Sequence, residues 1–426
     1  PEGLVANSGG NFKSVSQINV IDKYTIEFVA DKPDVPIEAF AHGGAIIVSA
    51  DDIAEHNGDF REHKWAIGTG PFTSVERNDE LWLQERFTDY FKPGQPHPDF
   101  LKHIWLVYQT PQNDAALRSG ITDSAAWITP KLGKQLNAGD GPPGLMGYGW
   151  IFPVVGTYLF QSNDHSPLSD KNIRKAFALV IDQNDIFEAL KDVEAHEPGG
   201  FLPIGTRHAK PIAELMTIPG VRPMTDEDLA TAQQLLTDAG YEGGEGFPEV
   251  ELLSRDAPSE RIANDAIQAM LKQHLGIEAK IKLVDSSEHT NVLNSNEWDM
   301  ATLGPYSTGL SDPVGILKSA YYCEDGKNLS GTAMRGGWCN AEMQTLISDM
   351  ALTKPGSGAR QALVDRVNEI LYDEWPRMPV GPFPQYWGHW DYLGGNLPRA
   401  KFSGHYVLFT WDDVWLNQPA RRAETR

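Results

Sequence analysis

The chain has 426 residues, 41% hydrophobic and 22% charged, with a formal net charge of −22 at pH 7. A single core stops growing beyond about 250–300 residues, so two or more domains are expected. The acidic balance argues against nucleic acid and anionic membrane surfaces as partners, since both call for cationic faces, and no apolar run approaches the ~18 residues of a membrane span.

The first 155 residues read mainly as strand. In YTIEFVA, Tyr24, Ile26 and Phe28 alternate with Thr25, Glu27 and Val29, the period of a half-buried strand. FTSVER and ELWLQERF flank Asn78-Asp79 as the arms of a hairpin, and HIWLVYQ reads as another strand. QNDAALRSG is a short helix closed by Gly120. GTYLFQSN, from 156 to 163, is a strand running into a turn. Ser169 or Asp170 caps a helix with Ile173, Ala176, Phe177 and Val180 on one face. Pro198, Gly199, Gly200 and Pro203 mark a long loop.

From Thr225 helices and strands alternate. TDEDLATAQQLLTDAG is a capped helix stopped by Gly240, with Leu229, Ala232, Leu235 and Leu236 as its buried stripe. VELLS is a strand, and SERIANDAIQAMLKQHLG is a helix with Ile262, Ala266, Ile267, Met270 and Leu271 on one side. IEAKIKLV alternates Ile277, Ala279, Ile281 and Leu283 inward, which completes a βαβ-like unit. Two more helices follow, near 340–352 and 359–374, then the breaker PRMPVGPFPQ and an aromatic, strand-like tail.

The two cysteines, Cys323 and Cys339, bound one polar, glycine-rich stretch. A disulfide closing it would contribute about 3 kcal/mol and imply an oxidising compartment; the alternative is a pair of free thiols in a reducing one.

Motifs that carry catalysis are missing. AIGTGPF, residues 66–72, has no lysine for a phosphate loop and no third glycine for a dinucleotide fingerprint. Gly68 and Gly70 there are expected to serve a turn, where side chains would clash or φ must be positive. The twelve histidines form no HxH, HxxxH or HExxH pair, and no CxxC or GxSxG occurs. Tyr386, Trp387, Trp390 and Tyr392 crowd one short stretch, and aromatics on loops make good walls for a ligand pocket.

VIDKYTIEFVADKP, IGTGPF, RFTDYFKPGQPHPDF, ALRSGITDSAAW, LFQSNDHSPLSDKNIRKAFALVIDQNDI, AQQLLTDAGY, LGIEAKIKLVD, the Asp-Pro at 312–313 and DDVWL resemble, in that order, segments of the extracellular solute-binding proteins of family 5. These proteins serve ABC importers for peptides, nickel complexes and some oligosaccharides, and the similarity covers nearly the whole chain. It implies an α/β, two-lobed periplasmic-binding-protein fold, class II-like, with a β-rich extra subdomain and a discontinuous lobe I. On that pattern 1–155 is the β-rich subdomain of lobe I, 156–216 the lobe I core, 217–384 the α/β lobe II, and 385–426 a return segment completing lobe I. Hinges are expected near 210–225 and 375–390. The export signal and roughly the first hundred residues of the family pattern do not occur in this chain, so Pro1 reads as an internal start.

The resemblance implies a periplasmic or extracellular monomer that closes on a small solute and delivers it to a membrane ABC permease. No enzyme activity, cofactor, metal or nucleic acid is implied. The ligand class is a short peptide or, alternatively, an oligosaccharide or other amine-free solute; an enzyme is the remote alternative. Tyr306, Ser307, Thr308 and Gly309 form the expected ligand-contact strand, with Trp387 and Trp390 as stacking walls and Asn163 and Trp127 as further contacts. Peptide binders of the family hold the ligand's α-amine with an aspartate shortly before the proline. Here Gly309 takes that place, which leaves Asp312, a different way of holding a peptide, or an amine-free ligand as the options.

Overall fold

A computed structural model describes residues 15–31, 49–56, 67–151, 155–191, 198–306, 312–324, 327–328, 336–381, 384–395 and 411–417. The chain falls into two compact units: Ala41–Ile151 group with Pro384–Arg426, and Phe152–Phe383 group with Ser8–Phe40.

In chain order, β1 (Val15–Asp22) and β2 (Thr25–Ala30) pair antiparallel. The expected alternation is there, but both faces are open: Tyr24 is 86% exposed, and Ile26 and Phe28 are also exposed. After α1 (Ala50–Glu55) come β3 (Phe72–Arg77), β4 (Leu81–Arg86) and β5 (Phe100–Ile104), a three-stranded antiparallel sheet. Asn78 closes the β3–β4 turn as its side chain accepts from the N–H groups of Glu80 and Leu81, both at 2.9 Å. The strand expected in HIWLVYQ lies earlier, ending at Ile104, because the chain turns before Gln109, whose φ is 55°.

Next are α2 (Pro111–Arg118), β6 (Ser124–Ala126), α3 (Pro130–Ala138) and β7 (Leu145–Ile151). α3 escaped the periodicity reading, yet its signals stand in the sequence: Thr129 caps it, Pro130 opens it and left-handed Gly139 ends it.

The second unit begins with β8 (Val155–Phe160), α4 (Lys171–Val180), α5 (Gln183–Leu190), α6 (Ile212–Leu215) and α7 (Asp226–Asp238). Thr225 and Asp228 form a capping box at α7. β9 (Val250–Arg255), α8 (Pro258–Leu275), β10 (Ala279–Val284), α9 (Ser286–Ser295) and β11 (Met300–Tyr306) follow. The unit continues with α10 (Pro313–Tyr321), the two-residue strands β12 (Cys323–Glu324) and β13 (Lys327–Asn328), α11 (Ala341–Leu352), α12 (Gly358–Glu374) and β14 (Arg377–Val380).

Its five-stranded sheet has the order β10-β9-β11-β8-β14. β9 runs parallel to β10 and β11, and β8 runs antiparallel to β11 and β14. Both faces are buried: Phe160, Leu252 and Met300 enter the main core under the helices, while Leu159, Leu253 and Ala301 meet Leu293 of α9 and Trp298. Such two-sided burial is why these strands read as nearly continuous apolar runs.

Residues 156–216, expected in lobe I, belong instead to this second unit. β8 sits inside its sheet, and α4 packs on α7. The expected hinge at 210–225 is likewise interior, because Leu215 and Val221 share one core with Ala232 and Leu236, and Gly220 lies against the Trp375 ring. The division between units falls at 151/152 and 383/384, besides 7/8 and 40/41 nearer the start of the chain.

The return segment supplies β15 (Pro384–Trp390), β16 (Leu393–Gly395) and β17 (Val414–Leu416). β15 inserts antiparallel between β6 and β7, and α3 packs on that sheet. Gly133 of α3 allows the approach, since a Cβ there would overlap the Tyr386 ring.

Candidate functional site

In open α/β sheets, ligands gather at the carboxyl ends of strands, where successive connections diverge. In the second unit that point is the end of β9: the chain leaves through α8 to β10 on one side and returns through α9 to β11 on the other. The edge is built around Glu260, in the first turn of α8. Its carboxylate accepts from Ser254 Oγ at 2.7 Å, Arg255 N at 2.8 Å and Thr302 Oγ1 at 2.8 Å, and it pairs with the Arg255 guanidinium. Burial alone would raise the carboxyl's pKa; Arg255 and these hydrogen bonds outweigh it and hold the pKa below the usual range. With both oxygens of the Glu260 carboxylate engaged, the cluster stiffens this edge of the sheet.

From this edge β11 runs to Tyr306, whose backbone pairs with Val155 of β8 after a register shift beyond Leu303. Ser307, Thr308 and Gly309, expected to touch ligand, lie outside the described residues. Asp312 follows. It caps α10, accepting from Val314 N at 2.9 Å, and accepts from Arg360 Nη2 at 2.5 Å. Arg360 is buried in the first turn of α12 and also donates to Thr353 O at 2.7 Å. Like any cation at a helix N-terminus, it opposes the helix dipole, so the Asp312 carboxylate offsets an otherwise unfavourable charge.

Asn163 sits in the turn after β8. Its N–H donates to Gln161 Oε1 at 3.2 Å, its carbonyl accepts from Ser166 N at 3.1 Å, and its amide lies against Gly337. Those contacts make it a turn residue that seats the 336–340 segment. Cys323 and Cys339 form the expected disulfide, with Cα atoms 6.0 Å apart. Beside it Glu374 accepts from Trp338 Nε1 at 2.6 Å and Asn340 Nδ2 at 2.7 Å.

In the first unit Trp127 stands out. It follows β6 with φ at 49°, a left-handed conformation that costs a bulky residue about 1–2 kcal/mol. The surroundings hold it there: its carbonyl accepts from Gln109 N at 2.7 Å, and its indole Nε1 donates to Gln385 Oε1 at 2.5 Å. Asn113 Nδ2 donates to Ala126 O at 3.1 Å. Gln109 is itself left-handed, and the ring of exposed Tyr108 meets Trp127 edge-on at 4.9 Å. Strain of this kind persists where neighbouring structure over-determines it, and it gathers at binding sites.

Trp387 lies next to this place, paired in register with Ala126 and Tyr148, and is buried. Trp390 is not a stacking wall. It belongs to the core cluster beside α3, stacks on Tyr392 at 6.1 Å and donates to Leu117 O at 2.9 Å. The two tryptophans, three residues apart on one strand, face opposite ways. Gln385, Gln109 and Arg360 were not singled out from sequence, because nothing in their neighbourhoods announces a partner so distant in the chain. Among the described residues, no group of three or more His, Cys, Asp or Glu is placed to hold a metal ion, and no helix is long and apolar enough to cross a membrane.

Residues 4–328 match the family model described as "Bacterial extracellular solute-binding proteins, family 5 Middle". The Bacillus subtilis dipeptide-binding protein DppE is 24% identical over 391 residues, spanning 89% of this chain and 66% of its own length. The oligopeptide-binding protein OppA of the same organism is 23% identical, over 82% of this chain and 59% of its own length. The chain thus spans less than two thirds of these curated relatives. Among solved structures, the binding protein AgaA from A. tumefaciens R10, in complex with agropinic acid, superposes with a TM-score of 0.78 at 21% identity, over 96% of this chain and 79% of the other. DppA from Helicobacter pylori, in complex with the peptide STSA, gives 0.75 at 18% identity, over 98% and 77%. These likenesses give the chain the two-lobed periplasmic-binding-protein fold.

Proposed function

Because this chain belongs to the bacterial extracellular solute-binding proteins of family 5, we propose that it captures a short peptide or a similar small organic solute outside the cytoplasm and delivers it to a membrane ABC permease. The observation that carries this reading is the family match over residues 4–328. The names of DppE and OppA, binding proteins for dipeptides and oligopeptides, support the peptide class. On this reading the protein works as a monomer, takes no cofactor and makes or breaks no bond.

Each unit holds one candidate contact place. At the end of β11 the Tyr306 main chain offers N–H and C=O groups to an extended ligand, as in strand addition; Ser307, Thr308 and Gly309, proposed as the adjoining contacts, lie outside the described residues. Trp127, with Tyr108 edge-on to it and Gln385 fixing its indole, offers an aromatic face set before the ligand arrives. Trp387 supports that face from the neighbouring strand.

One observation favours the amine-free alternative. The Asp312 carboxylate is already engaged by Arg360 and by the first turn of α10. An ammonium recruited there would share a carboxylate whose charge already offsets the buried Arg360 guanidinium, and so would gain less from it than from an uncommitted aspartate.

Thermal shift followed by calorimetric titration, with free peptides, N-acetylated peptides, oligosaccharides and opine-type acids, tests both readings. Stabilisation by a peptide is the expected result, and tighter binding of the N-acetylated form would select the second reading. No stabilisation by any of the four classes would overturn the proposal.

A further inference from the structure

The first unit contains an open surface pocket of about 350 Å³ that the solute reading does not use. It lies against the β3–β4–β5 sheet and the return segment, with Phe72, Gln84, Lys92, Trp411, Asp412 and the backbone of Gly70 in its wall. Its size falls at the lower end of small-molecule pockets, about 300–1,000 Å³.

The wall is chemically ordered. Asp412 is only 3% exposed and accepts from Lys92 Nζ at 2.7 Å and from Tyr90 Oη at 3.3 Å. The two charges cancel, so the pocket favours neither an anion nor a cation. Phe72 and Trp411 supply aromatic surface, while Gln84 and Tyr90 bring side-chain hydrogen-bonding groups.

Gly70 gives a second, independent observation. The turn reading of its loop does not hold: neither Gly68 nor Gly70 has a positive φ, and a Cβ at either would meet nothing within 4 Å. Nothing in the described chain therefore requires glycine at these positions. A bare backbone bordering an open pocket does serve one purpose, the close approach of a bound molecule.

We propose that this pocket is a second small-molecule site, for an uncharged planar compound of one or two rings with an amide-like polar edge. The ring lies against Trp411 and Phe72, its polar edge meets Gln84 and Tyr90, and the Gly70 backbone lets it seat fully.

Ligand-detected saturation-transfer NMR on the whole chain tests this, with nicotinamide and indole-3-carboxamide as probes. At least one probe should give transfer, and Gly70→Leu, which puts a side chain into the open space, should weaken it by about tenfold without changing the melting temperature. Gln84→Leu should weaken it as well, by removing the polar partner. Trp127→Ala should leave it unchanged, which separates this site from the solute contacts proposed above. Absence of transfer from both probes, transfer that survives Gly70→Leu, or transfer that is lost in Trp127→Ala would each overturn the proposal.

Discussion

Trp127 holds a backbone conformation that its own side chain disfavours, and this separates two roles that one substitution would confuse. Trp127→Ala removes the ring and keeps part of the strain; Trp127→Gly removes both. If the ring serves the solute, both variants should lose affinity by about tenfold or more, as expected for an aromatic contact worth about 1.5 kcal/mol. The glycine variant should nevertheless be the more stable of the two by about 1 kcal/mol. Titration calorimetry and urea unfolding measure the two quantities separately; equal affinity in wild type and both variants would return Trp127 to a structural role. Arg174 is the opposite case, a buried cation that serves the fold. It donates to the carbonyls of Leu168, Ser169, Glu374 and Trp375, capping the end of α12, and burial pushes its pKa down to about 10. Arg174→Met should cost about 3 kcal/mol or more, because four buried carbonyls lose their donor.

Elements with complete local signals were legible from sequence, and those defined by distant partners were not. α7 carries Thr225, Asp228 and Gly240 at the right offsets, and the structure uses all three. β15 reads as an aromatic strand, but its place between β6 and β7, more than 200 residues earlier in the chain, leaves no local trace. The same holds for the boundary expected at 216/217: the proline-rich stretch looked like a crossing, while the core residues Leu215 and Val221 that tie it to α7 are visible only in three dimensions. The α8 edge gives a test at this scale. Glu260 has a pKa below its ordinary value of 4.5, so its contribution to stability is complete above that value and is lost as pH falls through the folded-state pKa. Unfolding free energy measured from pH 7 down to about pH 3 should fall more steeply in wild type than in Glu260→Gln, which is less stable at neutral pH and keeps only the slope set by other carboxylates such as Asp228 and Asp373. Parallel curves would show that the cluster carries no charge-linked stability. The disulfide is testable by the same means: Cys323→Ser with Cys339→Ser should cost about 3 kcal/mol, the loop-closure value for a separation of 16 residues.

At the scale of the whole molecule, the two units have separate cores. One centres on the five-stranded sheet and its helices, the other on Leu117, Leu132, Leu136 and Tyr386 around α3 and β15. Among the described residues, the buried side chains of the first core and of the second form separate clusters. Unfolding need not then be a single all-or-none event, and differential scanning calorimetry of the free protein should resolve two transitions. Trp127 belongs to one unit and the end of β11 to the other. A solute stabilises the folded form of whichever unit holds its contacts, by about 2.7 kcal/mol at a concentration of 100 times Kd. Titration should therefore raise the transition of the first unit through Trp127, and Trp127→Ala should reduce that shift. A first-unit transition that stays fixed under saturating solute would remove Trp127 from the solute contacts, whatever the solute's affinity.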